Sequence, residues 1–454
     1  MLLKMLLKLF SKNINEGKIP PLKSTQLQNI SNSNIASYGF KDKIDESKKI
    51  VKGLEETYRT NLRRQRDKIL YTGGFRRMQD KTQVISATIS GDHRTRLTHT
   101  LEVEQIAVSI ANSLKLNPDL VSAISLGHDI GHTPFGHAAE RKLNKMLENN
   151  GGFHHPIQSV RYIWEKYGKK INQEIYEGIL LHDSDMYEIN KKNVKQQLKY
   201  LNLSNDEINS FESWVEIDKW INSFPSTLEA QVVIWADKIA YITHDLEDFL
   251  RSSSYINLKR TNEKIDAKLS DILCNILHKE RIKIAEFELR DLIRTMISNL
   301  INTSYNNITP LIRKEFETPL KLTEYRSFSH KNESPKKKYL NSLIINFSDD
   351  CRESYYKLRN FLDEYYISSP EVQKSDAKAE VIVEYLFNMF FKNHKLMPLN
   401  LRKDIDSQIE DLDDTKQKND VVARKVACYI ATMSDTYAEH TYRNLIGTDM
   451  NFML

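Results

Sequence analysis

Residues 127–140 read GHDIGHTPFGHAAE and place three histidines, an aspartate and a glutamate within fourteen positions. Imidazole and carboxylate side chains carry protons near neutral pH and also bind divalent metal ions. The segment therefore points to acid–base chemistry, metal-assisted chemistry or both. Seven of the chain's thirteen histidines lie between positions 93 and 155: His93, His99, His128, His132, His137, His154 and His155.

His99 and Asp237 complete a candidate metal set with the adjacent pair His128 and Asp129. A carboxylate buried in an apolar helix is costly unless a positive group neutralises it. A divalent cation with two imidazole and two carboxylate ligands would satisfy all four side chains. Such N/O ligation suits Mn²⁺, Fe²⁺, Co²⁺ or Ni²⁺, and it suits Zn²⁺ less well than thiolate sites do. Taken alone, His99 could be a core histidine and Asp237 a buried carboxylate with a capping partner.

Helices are the elements that must position these residues. Glycine (14) and proline (11) are scarce among 454 residues, which disfavours an all-β architecture with its many turns. From about residue 46 onward the hydrophobic pattern is mostly helical. The segment 82–90, TQVISATIS, is rich in β-branched residues and predicts one short β-hairpin. We expect a mostly α fold with helical insertions.

Capping residues predict where the helices around the histidine-rich segment begin and end. Residues 97–116 have apolar side chains at helical spacing, and His99 continues that buried stripe. Asn117 is a natural N-cap with Pro118 at the first helical position. Gly131 is placed to end the second helix.

The segment SFPSTLEAQVVIWADKIAYITHDLEDFL contains the candidate ligand Asp237. Ser226 and Glu229 form a sequence-level capping box at its start. Asp237 lies on the same predicted helix face as His244. Residues 255–320 predict further amphipathic helices, and 424–445 predict a final one.

Charge, cysteine usage and the N-terminus limit the class of protein. The net charge of +5 is too mild to indicate nucleic-acid binding by itself. Cys274, Cys351 and Cys428 form no CxxC pair, so we expect a reduced, cytoplasmic protein. The segment MLLKMLLKLF is interrupted by Lys4 and Lys8 and is too short to span a bilayer. It predicts a short amphipathic helix or frayed end, with a peripheral membrane contact as the alternative.

Seven sequence blocks resemble one family in its own order, from about residue 58 to 445. The set of His99, the His128–Asp129 pair and Asp237 is similar to the metal site of the HD-domain phosphohydrolases. The blocks are YRTNLRRQRDKI, FRRMQDKTQV, RTRLTHTLEVEQIA, LGHDIGHTPFGHAAE, GGFHHPIQS, LEAQVVIWADKIAYITHDLED and YIATMSDTYA. On these blocks the chain more specifically resembles the deoxyguanosine triphosphate triphosphohydrolase (dGTPase) family.

The resemblance implies a reaction, a cofactor and partners. Members hydrolyse a deoxynucleoside triphosphate (dNTP) to the deoxynucleoside and tripolyphosphate. The implied cofactor is a divalent ion, Mn²⁺ or Mg²⁺ first, with Co²⁺, Fe²⁺, Ni²⁺ or Zn²⁺ as alternatives. A homo-oligomer, a tetramer or hexamer, is also implied. A dNTP activator at a subunit interface and single-stranded DNA binding remain open, as do base preference and a role in dNTP pool control or anti-phage defence.

Residues 11–45 are rich in Asn, Ser and Lys, and no sharp composition break follows them, which predicts the domain division. The resemblance implies the acid–base residues. We expect an arm over 1–45 and one large helical domain over 46–454, with an HD core at about 58–255 and a helical C-terminal part at about 256–450. His137 matches the general acid or proton shuttle of the family, and Glu140, three residues on, matches its carboxylate partner. His132 matches a position that contacts the phosphates, and His155 matches a second active-site histidine.

Substrate contacts are implied at five further positions. Arg96 and Lys238 match phosphate-binding residues, which suits Arg because its guanidinium binds phosphate through two nitrogens. Tyr241 matches a residue that packs under the sugar and excludes ribonucleotides. Asp245 and Gln83 match contacts to the 3′-hydroxyl.

The chain departs from the family pattern at several positions. GHAAE stands at 136–140 where the family has GHAGE, and ATMSD replaces AGMTD near the C-terminus. YYISSP at 365–370 replaces a Y-x-H-P stretch and puts the role of Tyr366 in doubt. Two other classes stay open: another HD enzyme, such as a cyclic-nucleotide or alarmone hydrolase, and a nucleotide-sensing or nucleic-acid-binding scaffold.

Overall fold

The computed structural model describes residues 24–42, 59–83, 94–183, 197, 224–261, 264–313, 340, 342–410 and 412–447. These residues form seventeen α-helices and no named strand, so the mostly α prediction is confirmed. The helices are α1 Ser24–Asn34, α2 Asn61–Leu70, α3 Gly73–Arg77, α4 Arg96–Ser113, α5 Pro118–Gly127, α6 Gly136–Met146, α7 His155–Tyr167, α8 Gln173–Leu181, α9 Leu228–Arg251, α10 Ser253–Thr261, α11 Ile265–Leu277, α12 Leu289–Arg313, α13 Asp349–Leu362, α14 Pro370–Lys392, α15 Leu399–Glu410, α16 Thr415–Ala431 and α17 Asp435–Ile446.

Two apolar clusters organise the helices. The first core is built mainly from buried side chains of α2–α5 and α7–α13. The second core is built from α6 and α14–α17. Within the first core α4 packs against α5 and α9, and in the second α6 packs against α14. Helices α6 and α7 are consecutive in sequence but bury their apolar faces in different cores, so the segment between them joins the two.

The predicted β-hairpin and two terminal predictions fall mainly on residues that the structure does not describe. Thr82 forms an isolated antiparallel bridge with Thr95, and residues 84–93 between them lie outside the described part of the chain. The N-terminal segment MLLKMLLKLF lies outside it as well. None of the described helices combines the length and the apolarity that crossing a bilayer requires.

The helix that precedes the histidine-rich loop begins as predicted but ends earlier. The Asn117 side chain accepts hydrogen bonds from two backbone N–H groups at the start of α5. The helix ends at Gly127, so the prediction that Gly131 terminates it was wrong. A Cβ atom on Gly131 would lie 2.2 Å from the backbone nitrogen of Ser159. Glycine is therefore required there because α7 approaches the loop backbone closely.

The capping box predicted at the start of α9 was also wrong. The N-cap is Thr227, whose hydroxyl accepts from the Ala230 N–H. The Ser226 hydroxyl instead donates to the buried carboxylate of Glu177. Glu229 accepts from the backbone N–H groups of Phe40 and Asn117, at 2.8 and 2.9 Å. Its carboxylate therefore joins three chain segments instead of capping its own helix.

The single helix predicted over 424–445 is divided in two. Helix α16 ends at Ala431 and α17 begins at Asp435. The break follows from Ser434, whose hydroxyl accepts from the Tyr437 N–H and caps the second helix. The amphipathic pattern is continuous across the break, which is why periodicity alone did not find it.

Part of the segment predicted as an N-terminal arm packs on the body. Residues 24–34 form α1, and Asp42 accepts hydrogen bonds from the Leu62 N–H and from the Asn61 side chain. Asp42 is 3 % exposed. These contacts attach residues up to 42 to α2. The division into an arm over 1–45 and one helical domain over 46–454 stays a prediction.

Candidate active site

Three helices of the first core bring the predicted metal ligands together. His99 lies in the first turn of α4, which Thr95 caps through a capping box with Thr98. His128 and Asp129 follow the last residue of α5, and Asp237 lies within α9. All helix starts here are fixed by local hydrogen bonds, so the side chains have a defined direction.

The four side chains converge on one point. His99 Nε2 lies 2.9 Å from Asp237 Oδ1, and His128 Nε2 lies 3.8 Å from the same oxygen. Asp129 Oδ2 lies 3.6 Å from His128 Nε2. Ligand atoms of His99, His128 and Asp129 lie within 4.8 Å of one another. His99 and Asp237, which are 138 positions apart in sequence, thus lie beside the His128–Asp129 pair.

The state of these side chains fits a divalent cation. His128 Nδ1 donates to the Ser125 carbonyl at 2.6 Å, and its Nε2 is buried without a hydrogen-bond partner among the described residues. Burial alone would raise the pKa of Asp129, but His128 and Arg96 lower it well below its usual value. Asp237 behaves similarly, because His99 outweighs burial and lowers its pKa. Two imidazoles and two ionised carboxylates form a plausible metal site.

A second group of histidines surrounds Glu140 beside this site. His137 Nδ1 lies 3.2 Å from Glu140 Oε2, and the two residues are one turn apart on α6. The His155 backbone N–H and Nδ1 contact Glu140 Oε1 at 2.7 and 2.9 Å. His132 Nε2 lies 3.6 Å from Glu140 Oε2, and its ring stacks on His155 with centroids 4.4 Å apart. One carboxylate therefore orients His137 and His155, and His132 stacks beside it.

Burial and neighbouring charges shift the pKa values of two of these histidines in opposite directions. Burial alone would lower the pKa of His155, but Glu140 raises it to about 9. His132 is also fully enclosed, and burial together with the Arg96 guanidinium lowers its pKa well below the usual value. The two stacked rings thus differ in charge near neutral pH. The His137 side chain is 45 % exposed and is the accessible member of the group.

A cavity of about 1130 Å³ exposes both groups. Four of the predicted substrate residues line it: Arg96, Gln83, Lys238 and Tyr241. Arg96 donates to Asp129 Oδ2 at 2.7 Å, while its Nε and second terminal nitrogen are buried without a hydrogen-bond partner in the described structure. Asp245 is not among the lining residues.

Comparison with known proteins identifies the family. The family model described as HD domain matches residues 96–242, a range that contains all four candidate ligands. A second model, phosphohydrolase-associated domain, matches residues 345–444. A deoxyguanosinetriphosphate triphosphohydrolase-like protein of Rickettsia bellii is 32% identical over 434 residues, 92% of this chain and 99% of the relative. The chain belongs to the deoxyguanosinetriphosphate triphosphohydrolase-like family.

Other members show the same extent of similarity. The homologous protein of Rickettsia felis is 32% identical over 435 residues, and that of Rickettsia akari is 32% identical over 437 residues. Each alignment covers 92% of this chain and at least 98% of the relative. The similarity therefore extends over both cores and is not confined to the HD domain.

Within this dGTPase-like chain, His182 is a site residue that the sequence analysis missed. His182 follows α8, donates from Nδ1 to the Ile179 carbonyl at 2.7 Å, and places Nε2 3.2 Å from His155 Nε2. Its ring centroid lies 4.9 Å from that of His128. Burial and the nearby imidazoles lower its pKa to about 4. The available signal was the dipeptide of His182 and Asp183, a second His–Asp pair at a helix end.

Two further missed residues lie next to the candidate ligand His99. His244 Nδ1 lies 3.3 Å from His99 Nδ1, and His244 Nε2 contacts the carboxylate of Glu102. His244 was noted only for sharing a helix face with Asp237. Glu102 lies three residues after His99 on α4, and this spacing was the signal for it.

Arg359 also lines the cavity and was not predicted from the sequence. It comes from α13, and its guanidinium carbon lies 4.5 Å from the ring centroid of Tyr241. The cationic group and the aromatic face form a cation–π contact. Tyr366, whose role was in doubt, is buried against Phe249 and is not among the residues that line the cavity.

The two cores are joined at the loop that precedes α6. Asp435 accepts from the Thr82 N–H at 2.9 Å and from the Phe135 N–H at 2.8 Å. Lys81 donates to the carbonyls of His132 and Ala431. Burial is the main cause that lowers the pKa of Lys81 to about 7. The motif ATMSD thus contacts the histidine-rich loop directly.

Proposed function

We propose that this protein hydrolyses deoxynucleoside triphosphates to deoxynucleosides and tripolyphosphate with the help of a divalent metal ion. The observation that carries the proposal is the adjacency of two groups on one cavity. Four side chains suited to a metal ion lie beside the His137–Glu140 pair, and the cavity between them is large enough for a nucleotide. Membership of the dGTPase-like family supports the same substrate class.

His99, His128, Asp129 and Asp237 would hold the metal ion. Mn²⁺ or Mg²⁺ is the first expectation, and Co²⁺, Fe²⁺, Ni²⁺ or Zn²⁺ are alternatives. When bound, the ion supplies polarisation of a phosphoryl oxygen and favours deprotonation of water near neutral pH. The buried His128 Nε2, which has no hydrogen-bond partner among the described residues, and the lowered pKa of Asp129 support this assignment.

The Glu140 group would handle the proton of the leaving group. Water attacks the α-phosphorus, the bond between that phosphorus and the 5′-oxygen breaks, and the 5′-oxygen takes a proton. His137 is the proposed donor, because it is exposed to the cavity and Glu140 holds its Nδ1. His155 also contacts Glu140 and is the proposed second active-site histidine. His132, in the loop that precedes α6, is proposed to contact the phosphates.

Substrate binding is proposed to use the walls of the cavity. Arg96 and Lys238 would contact phosphate oxygens, and the two Arg96 nitrogens without partners support this role. The Tyr241 ring would pack under the sugar at C2′ and exclude a 2′-hydroxyl. Gln83 and Asp245 are the proposed contacts to the 3′-hydroxyl. Asp245 does not line the cavity here, so its contact with the 3′-hydroxyl would require a rearrangement of the site.

Partners and physiology follow from the family assignment alone. We propose a homo-oligomer, a tetramer or hexamer, with a dNTP activator or single-stranded DNA as candidate ligands at subunit interfaces. The role would be control of dNTP pools or defence against phage. A cytoplasmic location is proposed on cysteine usage.

A product assay tests the proposed reaction. The purified protein is incubated with each of the four dNTPs and with GTP, singly and in mixtures, with Mg²⁺ or Mn²⁺. We expect tripolyphosphate and the deoxynucleoside, resolved by ion-exchange chromatography. Pyrophosphate and a monophosphate, or hydrolysis of only cyclic nucleotides or alarmones, would favour another HD enzyme. Nucleotide binding without turnover under all conditions would favour a sensing scaffold.

A further inference from the structure

We propose that His244 and Glu102 form a hydrogen-bonded relay that fixes the tautomer of His99 and thereby sets the affinity of the metal site. This inference rests on the proposed function, because it assumes that His99 Nε2 binds the ion. The relay has two contacts: His99 Nδ1 faces His244 Nδ1 at 3.3 Å, and His244 Nε2 faces a Glu102 carboxylate oxygen. Helices α4 and α9 supply the three residues.

Metal binding determines where each proton in the relay must be. A metal ion at His99 Nε2 requires a lone pair on that atom, so the ring proton must be on Nδ1. Nδ1 then donates to His244 Nδ1, whose ring proton must consequently be on Nε2. His244 Nε2 donates in turn to the Glu102 carboxylate. Both imidazoles are neutral in this arrangement, and each ring N–H has an acceptor.

With both imidazoles neutral, the opposite tautomer cannot satisfy the same three groups. If His99 carried its proton on Nε2, it would donate to Asp237 at 2.9 Å, and its Nδ1 would be an acceptor. His244 would then donate from Nδ1 and turn a lone pair on Nε2 toward the Glu102 carboxylate. Two acceptors in contact repel each other, and the lost hydrogen bond leaves a buried imidazole unsatisfied. The carboxylate therefore favours the tautomer of His99 that is ready to bind metal.

The two histidine ligands are oriented by different kinds of partner. His128 Nδ1 donates to a backbone carbonyl, that of Ser125, so its tautomer does not depend on another side chain. His99 depends on His244, which is 2 % exposed, and through it on Glu102, whose side chain is 49 % exposed. The metal affinity is therefore adjustable from the protein surface through one of the two histidine ligands, His99. Outer partners of this kind typically contribute about 10–100-fold in metal affinity.

Direct measurement of Mn²⁺ binding tests the relay. The dissociation constant is measured by electron paramagnetic resonance of free Mn²⁺ for the wild type, Glu102→Gln and Glu102→Leu. We expect Glu102→Leu to weaken binding about tenfold, and Glu102→Gln to weaken it less because an amide oxygen still accepts from His244. The matched control is Glu104→Gln, which removes the same charge two residues along α4, where Glu104 contacts Ser122 and not the relay.

The variant Asp237→Asn shows whether a negative result means that the relay is wrong or that the metal site is wrong. If the wild type and Asp237→Asn bind Mn²⁺ equally, or neither binds it, the proposed metal site is wrong. If the wild type binds and Asp237→Asn does not, equal affinity of Glu102→Leu and Glu104→Gln overturns the relay alone. The half-saturating Mn²⁺ concentration for hydrolysis should rise with the dissociation constant in Glu102→Leu. A lower melting temperature with unchanged metal dependence would instead show a purely structural role and would also overturn the relay.

Discussion

The candidate metal ligands and the His137–Glu140 pair lie side by side but belong to different parts of the molecule. The four ligands are on α4, α5 and α9, which pack together in the first core. His137 and Glu140 are on α6, whose apolar face is buried against α14 in the second core. Metal binding should therefore depend on the first core alone. Hydrolysis should require both cores and the contacts that join them.

The contacts that join the two cores include several at the start of α7 and at the loop before α6. His155 at the start of α7 contacts Glu140 through its backbone N–H and its ring. Asp435 and Lys81 hold the loop before α6 from the other side. This arrangement predicts that some variants lose hydrolysis but keep metal binding.

The largest effect is expected from the loss of a metal ligand. Asp237→Asn removes a carboxylate shared by His99 and His128, so the protein should lose bound metal and at least about a thousandfold in hydrolysis. Metal content is measured by mass spectrometry beside the rate of tripolyphosphate release. Asp248→Asn on the same helix serves as the control and should retain both. Full activity in Asp237→Asn would place the metal elsewhere.

Loss of the His137 imidazole should reduce hydrolysis without changing metal binding. His137→Gln removes the exposed imidazole, and hydrolysis should fall about 10²–10⁴-fold because a positioned proton donor contributes that much. The Mn²⁺ dissociation constant should stay at the wild-type value, since α6 contributes none of the four ligands. Loss of metal binding in this variant would contradict the division between the two regions.

The contact between the cores can be weakened at Asp435. Asp435→Asn turns an amide N–H group toward the Thr82 N–H or the Phe135 N–H, since both now donate to the carboxylate. We expect a loss of about 1–3 kcal/mol in the free energy of unfolding, measured with urea. Hydrolysis should fall while metal affinity is retained. A variant with wild-type stability and rate would show that this contact does not position the loop.

The four candidate metal ligands were easier to predict from the sequence than the contacts around them. His99, His128, Asp129 and Asp237 could be recognised because their chemical type and helical register both restrict them. His182 was missed because its partner His155 was identified from the sequence blocks alone. Those blocks do not show which residues lie close together in the folded protein. The Lys81–Ala431 contact joins residues 350 positions apart, and no periodic pattern reports such a contact.

Helix ends were predictable only where one residue could serve as the cap. Asn117 followed by Pro118 left one choice, and the structure has it. Ser226 and Thr227 are adjacent hydroxyl residues, and Thr227 became the cap because Ser226 bonds to Glu177 on α8. A tertiary contact thus decided between two locally equivalent residues.

A smaller effect is expected on sugar selectivity. Tyr241→Ala removes the ring proposed to pack at C2′, so the ratio of kcat/KM for a ribonucleotide to that for the matching deoxynucleotide should rise about tenfold. Tyr356→Ala, a tyrosine on the wall of the same cavity, is the matched control and should leave the ratio unchanged. An equal rise in both variants would indicate general loosening of the cavity.

The smallest effect is expected in the pH dependence of stability. Burial raises the pKa of Asp245 to about 7, above the value of about 3.9 for an unfolded chain. The folded state therefore holds the proton more tightly, and its contribution to stability is lost as pH rises from about 4 to about 7. Asp245→Asn has no such proton, so its melting temperature should fall less over this interval. Identical curves for the two proteins would refute the raised pKa.

The central claim is that four side chains of the first core bind one ion, and anomalous diffraction from a crystal grown with Mn²⁺ tests it most directly. We predict one manganese peak that is bounded by His99 Nε2, His128 Nε2 and carboxylate oxygens of Asp129 and Asp237. A peak located elsewhere, or four side chains that point away from a common centre at saturating Mn²⁺, would contradict the account.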